Sequence, residues 1–209
     1  MPDVDAEIVE HWLRARSLAK GLPQPVADRG GLRVDTNTDE ERRRFVFAHP
    51  HPGIAELASE IVETRVFLKL AAPDQALMAL LPERWKLQPA RTMMVRFRDD
   101  PLPPGLPALF AATVSRQNGA NHVEIRKKEG ELAASGSSAV FENVYAYDSI
   151  ETRPQFSRRG LGTSVMRILG DLKPMGALEV LVATEEGRHL YSRLGWSLYA
   201  PYATAAIED

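Results

Sequence analysis

The sequence predicts an α/β chain of the α+β type. Its core is a mostly antiparallel mixed sheet flanked by helices, joined to a second, smaller α/β module at the amino-terminal end. Three observations predict this. Strand-like stretches at Leu109–Ser115, Asn121–Lys127, Glu131–Phe141 and Val144–Thr152 follow one another, with Gly119 and Glu129-Gly130 as turns, a pattern of successive antiparallel pairing. A helix with one apolar face then begins, its Leu161, Val165, Ile168, Leu169 and Leu172 spaced at i, i+4, i+7, i+8 and i+11. The chain before about residue 100 has shorter elements, and Asp99–Pro107 sets it apart with Pro101, Pro103, Pro104 and Pro107. The expected division is therefore residues 1–100 as an amino-terminal α/β module and 102–209 as the main domain.

From Asp3 to Lys20 the residues Val4, Ile8, Trp12 and Ala19, with Val9 and Leu13 beside them, recur near a 3.6-residue period and predict an amphipathic helix ended by Gly21. Pro23, Pro25 and Gly30-Gly31 make a loop. Leu32–Asp35 and Arg44–Ala48 read as short strands. The run Arg42-Arg43-Arg44 before the second is either a solvated face or a patch for phosphate or an acidic partner. Ile54–Val62 reads as a helix, Arg65–Leu70 as a strand, Asp74–Trp85 as a helix opened by Pro73, and Thr92–Phe97 as a strand. After the main helix stops at Pro174 and Gly176, Leu178–Ala183 is an apolar strand interrupted only by Glu179, which suits cover on both faces. Glu185–Leu194 reads as a helix capped by Thr184 and closed by Gly195, and Trp196–Ile207 supplies one or two final strands around Pro201.

Composition removes several function classes. Among 209 residues there is no cysteine, so disulfides, thiolate metal sites and a cysteine nucleophile are excluded. With 26 basic against 28 acidic residues, the chain lacks the cationic surplus that nucleic acid or an anionic membrane surface attracts, so neither is expected as a partner. No stretch approaches a membrane span, the first ten residues are acidic where a secretory signal is basic, and the cytoplasm is the expected compartment. His49 and His51 flank Pro50 without a third ligand and read as a turn, so no metal is expected. Ser135, Ser137 and Ser138 around Gly136 lack the closing glycine of a nucleophile elbow, because Val140 stands there.

Chemistry concentrates in Ile150-Glu151-Thr152-Arg153-Pro154-Gln155-Phe156-Ser157-Arg158-Arg159-Gly160-Leu161-Gly162-Thr163, a strand, a loop and a helix start. Unpaired amides, the positive end of the helix dipole, two glycines and two arginines together make an anion site suited to a pyrophosphate. The loop has no lysine after Gly162, as a triphosphatase loop needs. Val165 stands where a dinucleotide fingerprint has its third glycine.

About twenty residues later comes Gly187-Arg188-His189-Leu190-Tyr191-Ser192-Arg193-Leu194-Gly195-Trp196. With the Arg-Arg-Gly-Leu-Gly loop before it, this segment resembles the GNAT superfamily of acyl-CoA-dependent N-acetyltransferases, well over Tyr145–Trp196 and loosely elsewhere. The resemblance implies a GNAT-type sheet splayed near Ile150–Thr152, whose backbone at Ile150, Glu151 and Thr152 pairs with the pantetheine arm of acetyl-CoA. It implies that the amides of Arg158, Arg159, Gly160, Leu161, Gly162 and Thr163 hold the pyrophosphate. It also implies that Tyr191 protonates the departing thiolate, a role that suits a phenol in a partly buried cleft.

The departures matter. Ser157 stands where the family commonly has Gln or Arg, and Thr184 replaces an asparagine before the tyrosine helix. Ala146 aligns with the glutamate that is the base in some members. Asp148, two residues along the same strand and on the same face, is the replacement, with a water chain as the alternative. Glu142, Glu151 and Glu179 are weaker acid–base candidates, and His189, two residues from Tyr191, points elsewhere. The expected activity is acetyl transfer from acetyl-CoA, as acyl donor, to a primary amine of a small molecule or peptide. The alternative is a non-catalytic CoA-binding sensor or interaction module. The amino-terminal module resembles, more weakly, the half of tandem members that lacks the CoA loop, and would wall the acceptor site or pair two copies as a homodimer.

Overall fold

The computed structural model describes residues 4–97 and 105–208. In chain order the elements are α1 (Ala6–Ala19), β1 (Val26–Asp28), β2 (Gly31–Val34), β3 (Arg43–Phe47), α2 (Pro52–Glu60), β4 (Val66–Leu70), α3 (Asp74–Met78), β5 (Trp85–Leu87), β6 (Arg91–Arg96), β7 (Phe110–Gln117), β8 (Ala120–Lys127), β9 (Leu132–Phe141), β10 (Val144–Thr152), α4 (Leu161–Gly170), β11 (Leu178–Thr184), α5 (Glu185–Arg193) and β12 (Ser197–Ile207). A single turn of 3-10 helix, Pro154–Phe156, joins β10 to the loop before α4.

The twelve strands among the described residues share one sheet, ordered β1-β2-β3-β4-β12-β6-β11-β10-β9-β8-β7, with β5 pairing β12 off that path. Pairing is antiparallel except for β3 with β4 and β10 with β11. The sheet crosses the proline-rich stretch. β6, which precedes it, lies between β11 and β12, which close the chain. The segment at 98–104, where the sequence places its boundary, lies outside the described residues.

Strand alternation sends successive side chains to opposite faces, and the two faces are covered differently. On one, Tyr145, Tyr147, Met94 and Leu181 pack with Leu161, Val165, Met166 and Leu169 of α4 and with Tyr191 and Leu194 of α5. On the same face Leu68, Leu70, Ala203 and Ala205 pack with Ile54, Leu57 and Ala58 of α2 and Leu77 of α3. On the other, Val144, Ala146, Val180, Met93, Tyr202 and Val46 pack under Val9, Trp12, Leu13 and Ala15 of α1. The amino-terminal helix thus covers the sheet of the later half, and its Asp5 side chain caps it by accepting from the Glu7 amide at 2.9 Å.

Two expectations are corrected. The helix expected over Asp74–Trp85 ends at Met78, because after Pro82 the chain turns to bury Trp85 as a strand residue opposite Ile207, with its indole N–H donating to the Ala58 carbonyl at 3.0 Å. The main helix ends at Gly170, and Leu172 lies past its end, half exposed.

Gly136 fixes how closely α4 sits on the sheet. A Cβ there would lie 2.5 Å from Val165 Cγ1 and 2.6 Å from Ile150 Cδ1. Gly136→Ala is expected to cost about 1–3 kcal/mol, read as a lower urea midpoint, since packed core groups must move. An unchanged midpoint would show that α4 backs away freely.

Candidate active site

β10 and β11 pair only over Val144–Ala146 with Leu178–Val180, although they continue to Thr152 and Thr184. The two strands therefore splay from Tyr147 onward. β10 also bulges against β9 between Asp148 and Glu151, where Ser149 takes a φ of 55°. The splay joins the two faces of the sheet. A cavity of about 1090 Å³ runs through it, lined from one side by residues of β10, the loop, α4 and α5 and from the other by α1, β3, β4 and β6.

At its first end the chain turns into α4 through two left-handed residues, Arg158 (φ 60°) and Gly160 (φ 76°). Nothing crowds Gly160, so the backbone angle alone favours glycine there. The helix has no side-chain cap, and its first internal bond is from the Ser164 amide to the Gly160 carbonyl at 3.0 Å. The amides of Leu161, Gly162 and Thr163 accordingly have no acceptor among the described residues. The loop is anchored behind by Phe156, buried edge-on against Phe110 with centroids 5.8 Å apart. Free amides at a helix start beside a guanidinium fit a pyrophosphate.

Of the expected donor-binding residues, Ile150, Glu151, Thr152, Arg158, Gly160, Leu161, Gly162 and Thr163 line the cavity. Arg159 does not. Its guanidinium lies over the Phe156 ring, 5.7 Å from the centroid. The Glu151 side chain pairs outward with Arg153 at 3.2 Å, leaving its backbone to the strand.

Tyr191 lies across the splay, wedged between Gly187 and Trp196, whose ring centroid is 6.1 Å away. Its hydroxyl has no partner among the described residues, and the side chain lines the cavity. Burial, and secondly the charge of Asp148, push the phenol up to about 12. Asp148 faces it from the α1 side, bonded to Arg16 at 2.6 Å and lying 3.4 Å from Lys20. Burial alone would raise this carboxyl, but Arg16, Lys20 and the Ser149 hydroxyl outweigh it and hold it below the ordinary carboxylate value.

The other candidates are placed elsewhere. Ala146 is buried under α1. Glu179 is buried with Arg96 at 3.2 Å and accepts from the Tyr147 hydroxyl at 2.5 Å, turned into the protein. Glu142 sits in an exposed turn, and His189 is on the exposed side of α5. His51 accepts from the Gly53 amide at 3.0 Å and so caps α2. The Ser138 hydroxyl bonds the Tyr145 hydroxyl at 2.6 Å, and Ser137 bonds His122 at 2.9 Å.

No protein-family model matches the sequence, and no curated protein does. Solved structures do match. The chain is similar to a GCN5-related N-acetyltransferase from Kribbella flavida at a TM-score of 0.65 and 16% identity, over 93% of each chain. The fold is that of the GCN5-related N-acetyltransferases. A second such protein, from Sphaerobacter thermophilus, matches at 0.61 and 12% identity over 86% of this chain and 78% of its own. A tandem GNAT protein from the clavulanic acid biosynthesis pathway matches at 0.59 and 16% identity, over 86% and 79%.

Sequence reasoning missed the far wall of this GNAT-fold cavity: Trp12, Arg16, Lys20, Glu41, Arg44, Lys69, Arg91 and Tyr202. Arg44 carried a signal, in the run Arg42-Arg43-Arg44. Arg43 is exposed and bonds Asp35, while Arg44 is buried against Glu41. Lys69 carried a weaker one, a lysine inside the apolar run Val66–Leu70.

Proposed function

We propose that the protein is an N-acetyltransferase that moves the acetyl group of acetyl-CoA to a primary amine. The observation that carries this reading is the splay itself: among the described residues, a strand edge without a partner, helix amides without acceptors and a phenol without a partner open onto one cavity. The donor would lie with its pyrophosphate on the amides of residues 158–163, which Arg158 supports with charge. Its pantetheine arm would follow the free edge of β10 at Ile150–Thr152, bringing the thioester to Tyr191.

The acceptor would arrive from the α1 side as an ammonium and lose a proton before it attacks. Asp148 is too firmly held by Arg16 and Lys20 to be a strong base. We assign the proton to water oriented by this carboxylate, which Arg16 and Lys20 hold ionised beside the reacting end. The nitrogen then adds to the acetyl carbon, the C–S bond breaks, and the sulfur leaves as a thiolate. Tyr191, protonated throughout the neutral range, donates a hydrogen bond to it as the charge develops. The nitrogen's second proton goes to solvent or sulfur, giving an amide and free CoA. The amino-terminal residues act here as the wall of the acceptor chamber.

The test is free-thiol release from acetyl-CoA in the presence of amines. Amine-dependent release is expected, and donor binding without release from any amine would instead favour a CoA-binding sensor. For the loop, Arg158→Glu with Arg159→Glu is expected to weaken acetyl-CoA about tenfold, more at low salt, since charged hydrogen bonds are worth about 1.5–3 kcal/mol each. Equal affinity in a calorimetric titration would remove the loop from the donor site.

A further inference from the structure

Five cations face the acceptor end of the cavity: Arg16 of α1 and Lys20 at its C-cap, Arg44 of β3, Lys69 of β4 and Arg91 of β6. The carboxylates against them are Asp148 and Glu41 inside and Glu40, exposed, at the rim. Each inner carboxylate is already divided between two cations. Asp148 serves Arg16 and Lys20, and Glu41 bonds Arg44 and lies 3.8 Å from Lys69. Arg91 forms no ion pair among the described residues, so the chamber keeps an excess of positive charge.

The neutral lining adds donors. Trp12 lines the cavity, its buried indole N–H has no partner among the described residues, and its ring meets Tyr202 edge-on at 5.5 Å. The Tyr202 hydroxyl also has no partner among the described residues and lines the same wall. A buried donor without an acceptor is costly, which suits a chamber that closes on an acceptor atom from outside. Lys69 lies within this field. Burial first, and then Arg16, Arg91 and Lys20, lower it to about 8 against the opposing pull of Glu41.

Such a field repels a plain cationic amine or a polyamine, and it favours the neutral amine that the reaction needs. An amine that brings its own anion supplies the missing charge and gains a fixed orientation. Resting on the acetyltransferase reading, we infer that the acceptor is a small molecule carrying an oxyanion, a carboxylate or a phosphate monoester, besides its primary amine. The oxyanion is held by Lys69 and Arg91 while the amine reaches the splay beside Asp148. Both residues are specificity-determining rather than catalytic, since they contact the acceptor away from the reacting atoms.

Two readouts on the full chain keep this inference apart from the reading beneath it. In calorimetric titration with CoA present and absent, γ-aminobutyrate and phosphoethanolamine are expected to bind at least tenfold more tightly than ethanolamine and putrescine. The stronger of the two anionic amines identifies the oxyanion. Lys69→Met and Arg91→Gln are each expected to weaken that amine about tenfold and leave ethanolamine unchanged. In the thiol-release assay the same variants raise the KM of the anionic amine, with the Kd of acetyl-CoA unaltered. Equal or tighter binding of putrescine, or variants that shift all four amines alike, overturns the anion subsite. Anionic amines that bind as expected while no acetyl-CoA binds would leave the subsite standing and remove the acetyltransferase reading instead.

Discussion

Tyr191→Phe is expected to lower kcat about 100-fold while the Kd of acetyl-CoA stays within about twofold, because the loss is confined to the moment when charge reaches the sulfur. The structure isolates the hydroxyl for this experiment. It bonds to nothing among the described residues, so its removal leaves the ring between Gly187 and Trp196 undisturbed. The phenol sits at about 12 and stays protonated through the neutral range, so the wild-type profile is not expected to fall between pH 6 and 9 through Tyr191 ionisation. Stopped-flow thiol release with calorimetry on both proteins provides the check. A kcat equal to that of the wild type would leave Tyr191 as a packing residue and put the hydrogen bond to sulfur elsewhere.

Lys69→Met is expected to stabilise the protein at pH 7 even as it weakens the acceptor site. A lysine that falls from 10.5 in the unfolded chain to about 8 in the native one costs the native state about 3 kcal/mol at neutral pH, with both states protonated. Between about pH 8 and 10.5 the unfolded chain binds the extra proton, so wild-type stability gains on the variant as pH rises through that window. The advantage of Lys69→Met is therefore largest below pH 8 and shrinks toward pH 10.5. Glu41 is not stranded by the change, because Arg44 remains bonded to it. Urea denaturation at pH 7 and at pH 10 measures both halves, and a variant less stable than wild type at pH 7 would show that Glu41 more than offsets the burial of Lys69.

Stability given up for a buried charge is the common pattern at binding sites, and it explains which parts of this chain were legible in the sequence. The α4 face, the Thr184 cap and β7 to β10 obey local rules, a helical period, a side-chain oxygen before a helix and turn residues between alternating strands. The loop before α4 was legible for the same reason, since its glycines and arginines are contiguous. The far wall was not. Arg16, Arg44, Lys69 and Arg91 come from four elements spread over some seventy-five residues, and only the sheet order brings them to one chamber. A net charge of −2 over the whole chain gives no hint of a local positive excess.

The amino-terminal half shows the same limit. Val9, Trp12 and Leu13 display a helix face in the sequence, but nothing local says that it covers β9 and β10 rather than its neighbours β1 to β4. The prolines before Leu106 mark a change of composition, while the pairing of β6 with β11 and β12 is a long-range choice made by the core. Strand alternation from Ala146 points to Asp148, yet its low proton affinity depends on Arg16 of α1 and Lys20 at its C-cap, over a hundred residues away.

Calorimetric titration of the purified protein with acetyl-CoA tests the central claim most directly, since every functional step above requires an acyl-CoA in the splay between β10 and β11. One molecule bound per chain, weakened by Arg158→Glu with Arg159→Glu and retained in Tyr191→Phe, is the predicted result. No binding at concentrations up to the millimolar range would contradict it, and would leave the chain with the fold and the cavity but a different ligand in the opening.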